Sequence, residues 1–357
     1  MTTYKGRAKM NHPMKAMRSL WYFVTGGGAD FIHKRRSFID LRRRMETEVI
    51  EQAHSEPSPF RENTCPVCGL RSISKTFKNP VGFSFSVCAS DGTVFMDPVL
   101  TEDTLEKLYN NPAYEVRWNE GSGSNRASKT GDSDLKALCR MLGEPSTRLR
   151  LLDVGCASGH FLSDASSRFD VEGVELSSKA AKVAREKGFV VHQGYVNDLP
   201  GSELYDVVTF IQLIEHVVDP NETLQSVWRL LKPGGVFYVS TPASDSMSFS
   251  YLERLHRHVA GFAHVSIYGK EALVRLIEQH GFECLLHEHW GNEDLALHDV
   301  VSLALAKDSY FQGMALFSPR LYHASNFLDS ALFGIPGKLA LPKGNRPYQR
   351  AAFRKTG

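Results

Sequence analysis

The sequence predicts an α/β protein: a Rossmann-like, doubly wound seven-stranded sheet with an antiparallel last strand, preceded by a small β-rich domain. Three observations carry this expectation. From Leu149 onward, short apolar runs alternate with helix-length amphipathic runs, the pattern of a mainly parallel sheet. A glycine turn, "DVGCASG" at 153–159, joins the first such run to a helix. Upstream, "CPVCG" at 65–69 and "CASDG" at 88–92 repeat one frame among short apolar and aromatic segments.

The elements follow in order. "RLRLLDV" is a buried strand, and "GCASGHFLSDASSRF" a glycine turn into a helix. "DVEGVEL" is the second strand, followed by the Ser-capped helix "SSKAAKVAREKG". "FVVHQ" and "YDVVTFI" read as strands three and four. The helix "PNETLQSVWRLL" stops at "KPGG" and feeds strand five, "VFYVSTP". "KEALVRLIEQHG" is a helix leading to "FECLLHEHW", and "VVSLALAKD" at 300–308 closes the series. No helix separates these last two runs, so they are expected to pair antiparallel. The resulting domain spans 149–308.

Before it, residues 61–98 form the small β-rich domain, and 99–148 a helical linker and cap containing the flexible stretch "NEGSGSNRASKTG". Residues 1–60 are a basic helical extension. In it Phe31, Ile32, Phe38, Leu41, Met45 and Val49 make one apolar stripe, and "SEPSP" ends the helix. Residues 309–357 are expected to be a basic C-terminal extension, because "PKGNRPYQRAAFRK" contains no acid.

The 357 residues, 42% apolar and 23% charged, are ordinary for a soluble globular chain of about two domains. No run approaches the roughly 18–20 apolar residues of a membrane span. "SLWYFV" at 19–24 falls short of the about 7–15 apolar residues of a signal-peptide core. A cytoplasmic protein is expected. Six cysteines, three of them around "CPVCG", suit a reducing compartment and a metal better than disulfides. The net charge of +2 hides two basic ends. These either touch nucleic acid, anionic lipid (a peripheral membrane contact) or an acidic substrate, or are solvated tails.

The glycine turn is where a ligand is expected. Gly155 and Gly159, with small Ala157 between them, let the backbone turn tightly and approach a ligand. Asp153, just before the turn, would repel a pyrophosphate and welcome an ammonium and a sulfonium. Glu175 ends the second strand about twenty residues on, the place of a carboxylate that accepts from ribose hydroxyls. Turn, acids and strand order together point to S-adenosylmethionine rather than a dinucleotide.

From "LLDVGCASGHFL" through "VEGVELS", "YDVVTFIQLIEHVVDP" and "LLKPGGVFYVSTP" to "HVSIYGKEALVRLIEQHGFE", the chain resembles the class I S-adenosylmethionine-dependent methyltransferases. The resemblance places methionine on the loop 153–159, hence on Asp153, Gly155, Cys156, Ala157 and Gly159. It places ribose on Glu175, adenine near Leu176, Tyr195 and Val196, and Phe210 to Gln212 beside the donor sulfur. Many members carry Asp where Gly194-Tyr195 stand here, so the adenine amino group falls to Asp198 or to backbone. Val154 and Val207 read as core.

The upstream frame offers Cys65, Cys68 and Cys88 at zinc-ribbon spacing, with Asp91 in the register of a fourth ligand. Gly92 follows Asp91 as Gly69 follows Cys68, and no histidine lies between Ser55 and Gly92. The expectation is a structural Zn2+; the alternative is a metal-free zinc-ribbon-like domain held by its β core. The whole arrangement is similar to methyltransferases with an N-terminal ribbon of the CPxCG…CxxCG type, among them sugar C-methyltransferases. "GTVFMDP" and "LEKLYNNPAY" fit the helical link of that group. The similarity implies a small-molecule or glycan-type acceptor, such as a nucleotide sugar or a surface-glycan intermediate.

Methyl transfer is an in-line displacement in which positioning does most of the work. A base is needed only for a hydroxyl or carbon acid. His216 in "IEHVVDP" and His264 before "VSIYG" lie where an acceptor would sit. In sugar C-methyltransferases a histidine of an "EHxxxF"-like stretch serves as base; His264 is its nearest match, with Ala263 in place of the glutamate. The other reading of His264 is a hydrogen-bonding lid residue, and His216 with Glu215 either holds its loop or touches substrate. Tyr109 and Tyr114 cap the donor pocket or simply pack. His256, His258, His287, His289 and His298 read as solvent-face histidines, His287 and His289 sharing one face of a strand.

Two rival functions remain. An RNA methyltransferase would grip phosphates through ribbon and basic termini. The ribbon lacks an Arg/Lys cluster interleaved with aromatics, and no "NPPY"-type motif follows strand four, so nucleic acid is not the expected partner. The other rival is a non-catalytic module that binds S-adenosylmethionine.

Overall fold

The computed structural model describes residues 51, 55, 59–79, 82–110, 124–143, 147–246, 249–250, 253, 256, 258–259, 262–291 and 346–357. All of them fall within one compact unit. The expected N-terminal helix, "VVSLALAKD", Tyr114 and His298 lie outside the described residues. No helix among the described residues is long and apolar enough to cross a membrane.

The main sheet grows from β6 (Leu149–Val154), β7 (Phe169–Glu175), β8 (Val190–Gln193), β9 (Tyr205–Ile211), β10 (Leu231–Pro242), β12 (Phe282–Trp290) and β13 (Tyr348–Lys355), in the order β12-β13-β10-β9-β6-β7-β8. β6 pairs in parallel with both β7 and β9, so the chain order reverses about β6. Side chains alternate between faces, as a pleated strand requires. Val207, Val236, Tyr238 and Ala352 meet Leu138 of α2 (Ser124–Leu142) and Phe161 of α3 (His160–Ala165). Val208, Phe237, Val239 and Phe353 face the other way, onto α5 (Pro220–Leu230) and α6 (Lys270–Glu278). α4 (Ser178–Glu186) starts at Ser177, whose hydroxyl accepts from Ala180 N. Asp219 caps α5 by accepting from Asn221 N and Glu222 N, with Pro220 at the first helical position.

The seventh strand is not where the sequence places it. β13 is built from 348–355, inside the segment expected to be a basic tail, and it inserts antiparallel between β10 and β12. Its basic residues are absorbed by partners distant in sequence. Arg350 pairs with Glu288 at 2.5 Å and lies 3.8 Å from Asp134. Lys355 donates to the Leu231 carbonyl at 2.8 Å, its ammonium 3.9 Å from the centre of the Trp228 ring.

The cysteine-bearing region is likewise more deeply joined to the rest than a separate domain at 61–98 implies. Its sheet holds β2 (Ile73–Lys78), β3 (Ser84–Cys88) and β4 (Val94–Met96). The edge beside β4 is taken by β11 (Ser266–Ile267), from the loop after β10. β1 (Phe60–Arg61) pairs with β5 (Val99–Leu100), which leads into α1 (Glu102–Tyr109). Cys65, Val67, Cys88 and Phe95 are buried in the same cluster as Phe210, Ile214, Tyr268 and Leu273.

Because Phe353 is fully buried between β10 and β12, Phe353→Ala is expected to cost about 3–5 kcal/mol, read as a lowered urea midpoint. Arg354→Ala, on the exposed side of the same strand, is expected to stay within about 0.5 kcal/mol.

Candidate functional site

A cavity of about 370 Å³ opens at the carboxyl ends of β6, β7 and β9, where the chain order reverses. Its floor is Val154, Gly155 and Ala157; one side is Glu175 to Ser177 with Gly194 to Asp198. The other side is Gln212, Leu213 and His216 to Asp219, with Glu222 and Thr223 of α5. Glu102, Leu105 and Tyr109, at helical spacing on one face of α1, close it from above.

The floor is shaped by backbone conformation. Gly155 has φ +74°, and a Cβ there would stand 2.8 Å from Leu213 Cδ1, so a side chain would fill the cradle. Ala157 also has positive φ, and its N–H donates to Glu175 Oε2 at 2.8 Å. Glu175 Oε1 accepts from Ser177 N, also at 2.8 Å. One carboxylate thus fixes both the glycine turn and the start of α4, and each oxygen keeps a lone pair for a ligand hydroxyl. Burial raises the Glu175 carboxyl above its ordinary value.

The motif residues divide between ligand wall and core. Gly155, Ala157, Glu175, Leu176, Tyr195, Val196, Asp198 and Gln212 line the cavity. Asp153, Cys156, Gly159 and Phe210 do not. Asp153 is buried behind the floor, accepts from Thr209 Oγ1 at 2.7 Å, and is pushed up by burial to about 7. Cys156 points at Gly173, where an added Cβ would stand 2.5 Å from its sulfur. Gly159 lets α3 approach Ala184 and Phe189, and Phe210 stacks edge-on against Phe237 at 4.9 Å. Asp198 accepts from Tyr195 N at 3.3 Å, closing its own turn. Its neighbour Asn197, which sequence reasoning passed over, lines the cavity with a buried Oδ1 that has no hydrogen-bond partner.

Of the two candidate histidines, His216 reaches the cavity wall and His264 stands behind it, their rings edge to face at 4.6 Å. His216 Nδ1 lies 2.7 Å from the Ala263 carbonyl and 3.0 Å from the Tyr109 hydroxyl. His264 Nδ1 lies 2.6 Å from the His258 carbonyl. A carbonyl only accepts, so both Nδ1 atoms carry protons and Nε2 is the basic nitrogen of each ring. His256 and His258, expected on a solvent face, are instead buried beside Phe249 and Tyr348, where their apolar ring faces are accommodated. His287 and His289 do share a strand face, ring centroids 5.2 Å apart, and are held by Gln349 and Asp245.

The cysteine frame closes on four atoms. Gly69 N donates to Cys65 O at 2.8 Å and Gly92 N to Cys88 O at 3.0 Å, both glycines at φ +71°. The two turns are copies, and Asp91 occupies in the second the place of Cys68 in the first. Cys68 and Cys88 sulfurs are 3.6 Å apart, and Cys65 Sγ is 3.3 Å from Asp91 Oδ2. Zinc bonds of about 2.3 Å to sulfur and about 2.0–2.2 Å to oxygen set tetrahedral ligand separations of roughly 3.5–3.8 Å. The donor set therefore fits a zinc ion, and all four ligand atoms lie within 4.8 Å of one another. Between the first two cysteines, Pro66 O accepts from Asn221 Nδ2 at 3.2 Å, which ties this turn to the start of α5 at the cavity wall.

Residues 132–287 match the family described as Methyltransferase domain. The chain is 34% identical over 149 residues to ubiquinone biosynthesis O-methyltransferase of Bordetella avium (strain 197N), 38% of this chain and 54% of that one. With the enzyme of the same name from Haemophilus ducreyi it shares 37% over 106 residues, 26% of this chain and 44% of that one. The chain thus spans about half the length of the curated relatives it matches. Among solved structures, an S-adenosylmethionine-dependent methyltransferase of Thermotoga maritima aligns with 19% identity and TM-score 0.45, covering 68% of this chain and 98% of that one.

Asp153 makes the stability of this methyltransferase domain depend on pH. Its folded value of about 7 lies above the ordinary 3.8, so between these the folded state holds a proton that the unfolded chain releases. Stability is therefore expected to fall as pH rises through that window. Urea titrations at several pH values should show a shallower fall for Asp153→Asn, which keeps a partner for Thr209.

Proposed function

We propose that the chain is an S-adenosylmethionine-dependent methyltransferase acting on a hydroxyl-bearing small molecule. The observation that supports this reading is the cavity at the strand-order reversal, floored by Gly155 and walled by the Glu175 carboxylate. Bound there, S-adenosylmethionine would supply an electrophilic methyl group on its sulfonium sulfur. Glu175 would accept from the ribose hydroxyls with the lone pairs its backbone contacts leave over. Leu176, Tyr195 and Val196 would flank the adenine, with the Asn197 and Asp198 side-chain oxygens as acceptors for its amino group. Gln212 and Leu213 would border the sulfur, with Phe210 supporting them from the core.

Activation of the acceptor hydroxyl belongs to His216 and His264, through Nε2, the one ring nitrogen able to accept a proton when Nδ1–H faces a carbonyl. His216 is the nearer to the reacting groups, because it lies on the cavity wall. Tyr109 holds it from α1. Both a sugar hydroxyl of a nucleotide sugar or glycan intermediate and a phenol have the required acidity once activated. The O-methyltransferase names of the curated relatives favour a small molecule of the second kind.

The reading extends to a structural Zn2+ on Cys65, Cys68, Cys88 and Asp91. Four protein ligands close the site and leave no position for substrate. Thiols kept reduced for a metal fit a cytoplasmic setting.

Calorimetric titration with S-adenosylmethionine is expected to give one saturable site per chain. Glu175→Ala should weaken it roughly 10–100-fold, the loss of charge-assisted hydrogen bonds of about 1.5–3 kcal/mol. No binding by the parent protein would contradict the proposal. Turnover is then sought by mass spectrometry against phenols and nucleotide sugars. Metal analysis should find one zinc per chain, lost in Asp91→Ala and kept in Asp91→Cys. Chelation should weaken donor binding too, since Pro66 holds Asn221 at the cavity wall.

A further inference from the structure

Glu215 follows β9 and is fully buried. Its Oε2 accepts from Thr241 Oγ1 at 2.8 Å, while its Oε1 has no hydrogen-bond partner among the described residues. Among the described residues no lysine or arginine pairs with it. A buried carboxylate oxygen left in this state is costly unless a proton or a cation meets it.

Two imidazoles stand beside this carboxyl group. His216 and His264 each turn Nδ1–H onto a main-chain carbonyl, of Ala263 and His258 respectively. A ring nitrogen committed to a carbonyl fixes the tautomer and orients the other nitrogen, as metal-binding histidines require. One nitrogen from each ring and one Glu215 oxygen lie within 4.8 Å of one another. Small side-chain adjustments bring such a set to bonds of about 2.0–2.2 Å. The backbone holds the three together: Val265 N donates to Glu215 O at 2.7 Å, and Val265 O accepts from Met96 N at 2.8 Å.

We propose that Glu215, His216 and His264 form a second metal site, for a divalent transition-metal cation, at the wall of the donor cavity. Two imidazoles and a carboxylate suit zinc, manganese, cobalt or iron better than calcium or magnesium. Three protein ligands leave coordination positions open, unlike the four of the cysteine frame. The role of the cation rests on the methyltransferase reading. With the cation bound, the imidazoles would serve as ligands rather than as bases: an acceptor hydroxyl reaching His216 would become a ligand, its pKa would fall, and its proton would pass to solvent. The oxygen then forms a bond to the methyl carbon as the carbon–sulfur bond breaks, the electron pair remaining on sulfur as a thioether.

The test is titration of the full chain, with zinc in its cysteine frame, by Mn2+ followed by electron paramagnetic resonance. Manganese favours nitrogen and oxygen donors and leaves thiolate sites alone. One Mn2+ per chain is expected, at least tenfold weaker in Glu215→Gln and His264→Gln. His264→Asp, which restores a ligand, should bind within a few-fold of the parent. Calorimetry with S-adenosylmethionine on each variant reports whether the fold survives. Should the Gln variants lose the donor as well, His264→Asp decides: retained Mn2+ supports the site and its loss overturns it. No saturable Mn2+ binding by the parent, or equal binding by parent and Gln variants, overturns the inference. Donor binding without Mn2+ binding leaves the methyltransferase reading standing, and Mn2+ binding without donor binding does the reverse.

Discussion

Three carboxyl groups that have no cationic partner among the described residues, two of them buried and one on the cavity wall, organise the functional end of this molecule. Asp153, Glu175 and Glu215 sit at the carboxyl ends of β6 and β7 and just beyond β9. Burial raises all three, and no neighbouring lysine or arginine lowers any of them. A folded protein rarely holds such groups together without a use for them. The compensation available inside the chain is hydrogen bonding, from Thr209, from Ala157 and Ser177, and from Thr241. The remaining compensation is a proton or a cation; of the three, only Glu175 lines the cavity, while Asp153 and Glu215 stand behind its wall.

The cysteine-bearing region takes part in the same construction. Its strand β4 pairs with β11, its core merges with that of the main sheet, and Pro66 holds the start of α5. Through Met96 and Val265 it reaches the main chain of Glu215, and so fixes the loop that carries His216. A metal bound in the cysteine frame would therefore act at a distance, by stiffening the scaffold against which the two histidines are set.

Much of this was legible in the sequence, and the exceptions have physical causes. β6, β9 and most of β10 are runs buried on both faces, the pattern of central strands in a parallel sheet. β13 was hidden because "YQRAAFRK" carries three cations, two of which, Arg350 and Lys355, meet partners far away in the chain (Glu288, Asp134 and the Leu231 carbonyl). Residues 291–347 also separate it from β12, so no local connection announces the pairing. Within the site, the motif positions gather at one end of the sheet, but only some of them face the cavity. Alternation along a strand turns Phe210 into the core, and the glycine turn points Cys156 away from the cavity. Spacing alone gives no reason to prefer His216 to His264; only the path of the loop after β10 does. Asn197 stood next to the expected Asp198, marked by nothing except its buried oxygen.

The most direct test of the idea that these carboxyls await a cation is the proton balance of donor binding. Calorimetry with S-adenosylmethionine is run in buffers of different ionisation enthalpy, at a pH below the raised values of about 7. The account predicts net proton release, as a buried carboxyl ionises to meet the arriving positive charge, and less release with S-adenosylhomocysteine, which lacks the sulfonium. Binding with no dependence on the buffer, or with equal release for the two ligands, would contradict it.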